Sequence, residues 1–271
     1  MNLSQELDIA ILLSKQAGKL ALEINQKDFS VTQKPEFGGP VTEADLKANE
    51  LITSELAKHF PDDQIIGEES DQDHVKNFSS NKRTWWVDPI DGTKEFVKKS
   101  DEWSVIIGLC FDNKPILGVI YQPTKDILYY GSCGNGAFKK ESGQTTKLSI
   151  CESKPIDQST IILSKNHPHT KTKSIMSALG ITQSYTHGSV GLKIAQIAEQ
   201  KADLYVNFAG KCHFWDTCGP ELLLTEAGGV LLKADQTPIL YDSKNSQISE
   251  TFFASNHSLQ NHLKNIDFNQ I

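Results

Sequence analysis

Near the N-terminus, Leu3, Leu7 and Ile11 recur between Glu6, Asp8 and Lys15, and this spacing of three to four predicts a helix over about residues 3 to 25. Residues 43 to 59 repeat the pattern, and Thr42 followed three places on by Asp45 reads as a capping box at the start of that helix. From Trp103 the pattern changes to β-rich runs. The runs "WSVIIGLCF" and "ILGVIYQP", joined by "DNKP", predict a hairpin, and residues 127 to 130 with the glycine-rich "GSCGNGAF" extend it into an antiparallel meander. Beyond the polar stretch "KKESGQTTKLS" the texture alternates: strand "STIILSK", helices near 170 to 179 and 190 to 199, then strand "ADLYVNF". A helix at 221 to 227 stopped by Gly228 and Gly229, strands "VLLKA" and "TFFASN", and a closing helix complete the pattern. The expectation is an α/β chain forming one unit from two sheet-containing halves, residues 1 to 155 and 156 to 271.

At 271 residues the length suits one large domain or two intimate halves. Hydrophobic content of 38% with 23% charged residues, and no stretch near the roughly 20 apolar residues of a membrane span, predict a soluble protein without stable membrane insertion. The N-terminal segment lacks the uninterrupted apolar core of a signal peptide. Five cysteines without a CxxC pair argue against a disulfide framework and against structural zinc, so the expected location is the cytoplasm, free or peripheral to the inner membrane. A formal net charge of −7 argues against nucleic acid as a partner, while a small anionic ligand held by local positive groups or by metal stays compatible.

The candidate chemistry centres on "TWWVDPIDGTKEF". Residues 85 to 87 form a buried-strand pattern, Pro89 has no N–H to donate, and Gly92-Thr93 leads into a short helix "KEFVKK". A strand thus ends in a tight turn bearing Asp88 and Asp91, with the Ile90 carbonyl free to turn toward the same point, a set of oxygens suited to a hard cation. Alone, an acid before a turn proline and an acid capping a helix are ordinary. Upstream, "QIIGEES" places Glu68 and Glu69 after a short β-like run; downstream, "FWDTCGPE" places Asp216 just before a helix with Pro220 in its first turn. A solvated loop and another cap are the plain readings of these. If the strand ends line one crevice, however, Glu68, Asp88, Asp91 and Asp216 converge, and such closeness is tolerable only with divalent metal. Two cations a few ångströms apart serve phosphate ester hydrolysis by activating water and neutralising the leaving oxygen. The amides of Gly92 and Thr93, at a helix N-terminus, suit phosphate oxygens. A haloacid-dehalogenase reading of "VDPIDGT" fails, because the acids are three apart and Ile90 occupies the general-acid position.

Together, "GEES", "DPIDGT" and "WDTCGPELLLTEAGG" resemble the lithium-sensitive, magnesium-dependent phosphatases of the inositol monophosphatase superfamily, over most of the chain. The resemblance implies an α/β fold layered α/β/α/β/α, of the inositol monophosphatase and fructose-1,6-bisphosphatase type. It implies two or three Mg²⁺ held by Glu68, Asp88, the Ile90 carbonyl, Asp91 and Asp216, with Thr93 orienting the attacking water, Asp45 supporting it, and Glu69 behind the ligands. "DGTKEF" and the "WDTC-PE" pattern are more similar to 3′(2′),5′-bisphosphate nucleotidases than to inositol monophosphatases, which implies removal of the 3′-phosphate of 3′-phosphoadenosine 5′-phosphate to leave AMP. "LSKNH" and "HGSVGLK" resemble nucleotide-contacting segments of that subgroup and nominate Ser164, His167, Ser189 and Lys193 as substrate contacts, with Lys193 or His167 near the 5′-phosphate. Gly219 departs from the alanine common there, and "AGKCHFWD" lacks an acid that often precedes the tryptophan. Cys212 and Cys218 read as packing residues, since hard Mg²⁺ prefers oxygen. An inositol phosphate or sugar phosphatase, a metal or phospholigand sensor, and a structural protein remain the alternatives.

Overall fold

The computed structural model describes residues 2–34, 39–70, 78–79, 82–150, 154–166, 169–208, 210–242, 245–266 and 268. Seven strands form the first sheet in chain order: β3 (Gln64–Gly67), β4 (Thr84–Asp91), β5 (Ser104–Phe111), β6 (Lys114–Gln122), β7 (Ile127–Ser132), β8 (Gly136–Glu141) and β9 (Gln144–Lys147). β3 and β4 are parallel and the remaining neighbours antiparallel. Two small ribbons pair β1 (Val31–Gln33) with β2 (Pro40–Thr42) and β13 (Cys212–His213) with β15 (Gln247–Ile248). The second large sheet has the order β11-β10-β12-β16-β14, from Gln183–His187, Thr160–Ser164, Leu204–Asn207, Phe252–Asn256 and Gly229–Lys233.

Successive side chains on a strand face opposite sides, and here both sides are covered, so the strands read as unbroken apolar runs. From one face of the first sheet, Trp85, Val105, Ile107 and Val119 pack with Leu13, Ala17 and Ile52 of α1 (Ser4–Asn25) and α2 (Glu43–His59). From the other, Trp86, Ile106 and Ile120 share a core with Leu192 of α5 (Val190–Ala198) and Phe214 and Leu223 of α6 (Phe214–Glu226). That core continues into Tyr205, Phe252 and Ala254 of the second sheet. Ile161, Leu204 and Phe253 on its far face meet Ile175 and Leu179 of α4 (Lys171–Leu179) and Leu259 and Leu263 of α7 (His257–Leu263). The layers therefore run α/β/α/β/α, the arrangement the resemblance implied.

Besides the short strands β1, β2, β11, β13 and β15, which the sequence did not announce, three differences from the expectation have a physical reason. The meander extends through β8 and β9 into the polar stretch 139 to 149; β9 is exposed along its whole length, and an edge strand facing water carries no apolar signature. β4 does not stop at Pro89. It runs to Asp91 with a register shift against β5 between Asp88 and Asp91, and this bulge accommodates the residue that cannot donate to the ladder. The helix expected from 221 begins at Phe214, so Asp216 lies within its first turn and Pro220 inside it. A proline there forfeits an intrahelical bond, a cost that burial of Phe214, Leu222, Leu223 and Leu224 between the sheets offsets.

At Gly219, α6 approaches the first sheet main chain to main chain, beside the Cys218 side chain. A Cβ on Gly118 would lie 2.2 Å from the Gly219 carbonyl oxygen, and one on Gly108 2.5 Å from the Gly219 nitrogen. Gly219 itself leaves 3.0 Å from its ideal Cβ position to the Ile107 carbonyl oxygen, which gives the glycine at this position a packing reason. Among the described residues no helix is long and apolar enough to cross a membrane.

Candidate active site

The bulge in β4 aims both of its acids at one point. Asp88 is 2% exposed and Asp91 4%; Asp88 Oδ1 accepts the Ile90 N–H at 3.0 Å, which fixes the turn of the chain between them. Asp216 arrives from the first turn of α6, where the His213 N–H donates to its Oδ2 at 2.5 Å. Asp88, Asp91 and Asp216 each bring a carboxylate oxygen within 4.8 Å of the other two. Burial pushes Asp88 and Asp216 well above the usual carboxylate range, and their acidic neighbours, Glu68 included, push the same way. Glu68 follows β3 directly, with its N–H bonded to the Val87 carbonyl, so parallel pairing with β4 delivers it to the cluster. A nest of buried, mutually repelling, all-oxygen donors fits a hard divalent cation.

Asp91 is gripped from the second half of the chain. Its Oδ2 accepts the Ser189 hydroxyl at 2.5 Å and the Gly191 N–H at 2.7 Å, while Oδ1 accepts the Val190 N–H at 3.0 Å. The N-terminus of α5 therefore points at this carboxylate, a favourable end for negative charge. Ser189 and Lys193, expected at the nucleotide, are both fully buried. Ser189 also caps α5 through Leu192 N–H at 3.0 Å. Lys193 Nζ donates to the carbonyls of Ser189, Gly188 and His187 at 2.9, 3.3 and 3.3 Å and lies 5.0 Å above the Tyr205 ring.

Next to the acids the chain turns at Gly92, whose φ of +97° is left-handed and whose Cβ, if present, would lie 2.9 Å from the Glu102 carbonyl oxygen. α3 (Thr93–Val97) starts there. Thr93 Oγ1 sits 3.2 Å from Asp45 Oδ1 and 3.1 Å from the Ile90 carbonyl, two acceptors for one proton. Asp45 Oδ2 meanwhile accepts the Thr42 hydroxyl at 2.6 Å and the Thr42 N–H at 2.8 Å, so the expected capping box is present and the second oxygen is left for Thr93. Burial pushes Asp45 up to about 6. Glu69, pushed up to about 7 by burial and then by Glu68, is in an ion pair with Lys34. Lys34, which follows β1, also bonds Glu68 at 2.7 Å.

A cleft of about 590 Å³ opens over these groups, lined by Glu68, Asp91, Thr93 and Asp216 and also by Ser164 and Asn166. His169 and Phe208, stacked at 4.8 Å, line it with Met176, and Lys173 and Lys211 also border it. His167 lies outside the described residues. Cys212 and Cys218 are buried, and burial pushes both thiols well above their ordinary range, consistent with packing roles. Lys34 and the His169–Phe208 pair went unnoticed in the sequence: a lone lysine and two residues 39 positions apart carry no local pattern.

The profile of the inositol monophosphatase family matches residues 2–266 of the chain. A relative from Haemophilus influenzae, the 3′(2′),5′-bisphosphate nucleotidase CysQ, is 32% identical over 246 residues, covering 91% of each chain. The Escherichia coli protein of the same name is 32% identical over 251 residues, covering 92% of this chain and 99% of its own. Among solved structures, the Thermotoga maritima IMPase superposes with a TM-score of 0.80 at 24% identity, covering 96% of this chain and 95% of its own. CysQ from Bacteroides thetaiotaomicron superposes with 0.77 at 26%, covering 94% of this chain and 99% of its own.

Proposed function

The chain belongs to the inositol monophosphatase family of phosphatases, and on that premise we propose that it is a magnesium-dependent phosphomonoesterase that removes the 3′-phosphate of 3′-phosphoadenosine 5′-phosphate, leaving AMP. The observation that carries this reading is the meeting of Asp88, Asp91 and Asp216 within 4.8 Å beside the Thr93–Asp45 pair and the Gly92 turn. Glu68, Asp88, the Ile90 carbonyl, Asp91 and Asp216 would hold two or three magnesium ions. Bound there, the metal supplies Lewis acidity toward the phosphoryl and leaving oxygens.

The chain's own groups supply positioning and proton movement. The Gly92 and Thr93 amides face phosphate oxygens at the start of α3. Thr93 Oγ1 orients the attacking water and takes up its proton as its own proton passes to Asp45 Oδ1, 3.2 Å away. A carboxyl whose buried site raises it to about 6 is matched to accept a proton near neutral pH. Lys193 Nζ holds the carbonyls of residues 187–189 and the Ser189 hydroxyl accepts the Leu192 N–H, so Ser189 and Lys193 are proposed to serve the nucleotide by shaping the 187–189 turn, and Ser164 and His167 by contact.

Choice of a nucleotide over an inositol ester is supported by the names of the relatives at 32% identity and by the His169–Phe208 pair, whose ring faces suit a base, with Lys173 and Lys211 nearby for a second phosphate. Steady-state rates on 3′-phosphoadenosine 5′-phosphate and on inositol 1-phosphate, both with magnesium, test the assignment. Preference for the nucleotide is expected; preference for the inositol ester overturns the substrate, and no phosphate release from either overturns the activity.

A further inference from the structure

Glu95 lies two residues beyond Thr93, on a helix of one turn, and its side chain is only 1% exposed. Its oxygens are fully engaged. Oε1 accepts Lys98 Nζ at 2.7 Å and Asn166 Nδ2 at 3.1 Å; Oε2 accepts the Ser100 hydroxyl at 3.0 Å and pairs with Lys165 Nζ at 3.3 Å. Burial works against the charge, yet the bonds from Lys98, Asn166, Ser100 and Lys165 hold this carboxyl down to about 2.

These partners come from different parts of the chain. Lys165 and Asn166 belong to the segment that leaves β10 and carries Ser164 and Asn166 along the side of the cleft. The same segment is tied to the 187–189 turn, since Lys165 N–H donates to the His187 carbonyl at 3.2 Å. Lys165 Nζ also reaches Glu102 Oε1 at 3.2 Å, and Glu102 Oε2 accepts the Gly188 N–H at 2.8 Å. The turn closes down directly on Glu95: a Cβ on Gly188 would lie 2.3 Å from Glu95 Cγ. One carboxylate thus joins three pieces: the helix that starts at the Gly92–Thr93 turn, the side of the cleft at 164–166, and the turn that feeds α5 and its grip on Asp91.

Ion pairs whose lysines stay partly exposed, as Lys98 and Lys165 do, add little net stability, because solvent screens the attraction. What such a pair does provide is direction, as each bond fixes one segment at one angle. Glu95 itself does not line the cleft, whereas Asn166 does. We infer that Glu95 is a positioning residue that sets the offset between the phosphate end of the cleft and the side that receives the ester's alcohol portion, and so selects for large leaving groups without touching them. The inference rests on the reading that phosphate binds at Gly92 and Thr93.

The test compares wild type with Glu95→Gln, which keeps the shape and removes the charge. Two substrates are used: the phosphate ester that wild type turns over most efficiently, and p-nitrophenyl phosphate, whose small leaving group makes few demands on 164–166. For the preferred ester KM is expected to rise about tenfold with kcat within about twofold, while p-nitrophenyl phosphate kinetics stay within about twofold. Equal losses on both substrates, or no change on either, overturn the inference. Should Glu95→Gln fail to fold, Lys165→Met severs the same link from the outside, its side chain being 39% exposed; a threefold or larger rise of KM confined to the preferred ester, on the order expected for one lost bond, supports the inference and its absence overturns it. The identity of the preferred ester judges the functional reading separately, because the substrate ratio is read whichever ester that is. A wild-type protein that hydrolyses no ester overturns both.

Discussion

Replacing Asp88 with asparagine should make the metal-free protein more stable and the enzyme inactive. The side chain keeps its shape, and its Oδ1 can still accept the Ile90 N–H seen at 3.0 Å. What disappears is one negative charge from a cluster whose oxygens lie within 4.8 Å of one another. At an effective dielectric constant near 20, two ionised carboxylates at that distance repel by about 3 kcal/mol. Asp91 and Asp216 both face Asp88, but each relieves part of the repulsion by taking up a proton, so the net gain for the variant is about 1–3 kcal/mol.

The pH dependence gives the sign independently. Burial, then Glu68, Asp91 and Asp216, raise Asp88 well above its ordinary value in the folded protein. A carboxyl raised on folding favours the folded state fully at pH below its unfolded value, and that contribution is lost as pH rises through the folded value. The variant should therefore match wild type near pH 4 and exceed it at pH 8. Urea unfolding in EDTA at the two pH values measures this. With millimolar magnesium the order reverses, because wild type gains binding free energy that the variant forgoes, and phosphate release by the variant should fall by about a thousandfold or more. An Asp88→Asn protein that is less stable than wild type in EDTA at pH 8 refutes the picture of uncompensated repulsion, and with it the argument for a cation.

Two further outcomes follow from the interior. Gly118→Ala forces a methyl group to 2.2 Å from the Gly219 carbonyl oxygen, a backbone contact with no easy escape, and should cost about 3 kcal/mol in denaturant unfolding; a loss under about 1 kcal/mol would show that α6 shifts freely. Glu221 on α6, pushed up to about 8 by burial with only the Tyr241 hydroxyl opposing at 2.6 Å, is protonated in the folded protein at pH values where the unfolded chain has lost the proton. Wild type should thus lose stability relative to Glu221→Gln between about pH 5 and 8, by up to about 1.4 kcal/mol per pH unit, and parallel stability profiles would refute it.

The acids were readable because each stands at the edge of an apolar run: Glu68 after "QIIG", Asp88 and Asp91 after "WWV", Asp216 after "FW". Continuous apolar runs located the central strands of both sheets for the same reason. Burial on two faces leaves an apolar run that local reading detects. Where the determinant was not local, the reading missed it. β9 is all polar because it faces water, and α6 begins seven residues before the expected 221 because its start is set by the His213–Asp216 capping box, in a stretch whose apolar residues suit a strand equally well. The bulge at Pro89 needed the pairing with β5 to be visible. Lys34 reaches Glu68 across 34 positions and Glu95 reaches Asn166 across 71, separations at which no periodicity survives.

The contact of Gly219 with Gly108 and Gly118 bears on how precisely the acids can be spaced. Asp216 rides on the helix that contains Gly219, while Asp88 and Asp91 ride on the strand beside the one that contains Gly108. Main chain meets main chain there, with the Cys218 side chain beside it, so the gap between the two carriers has little room to close. The spacing of the three carboxylates is thereby tied to a contact deep inside, so that a methyl group added at Gly118 would be registered at the acids.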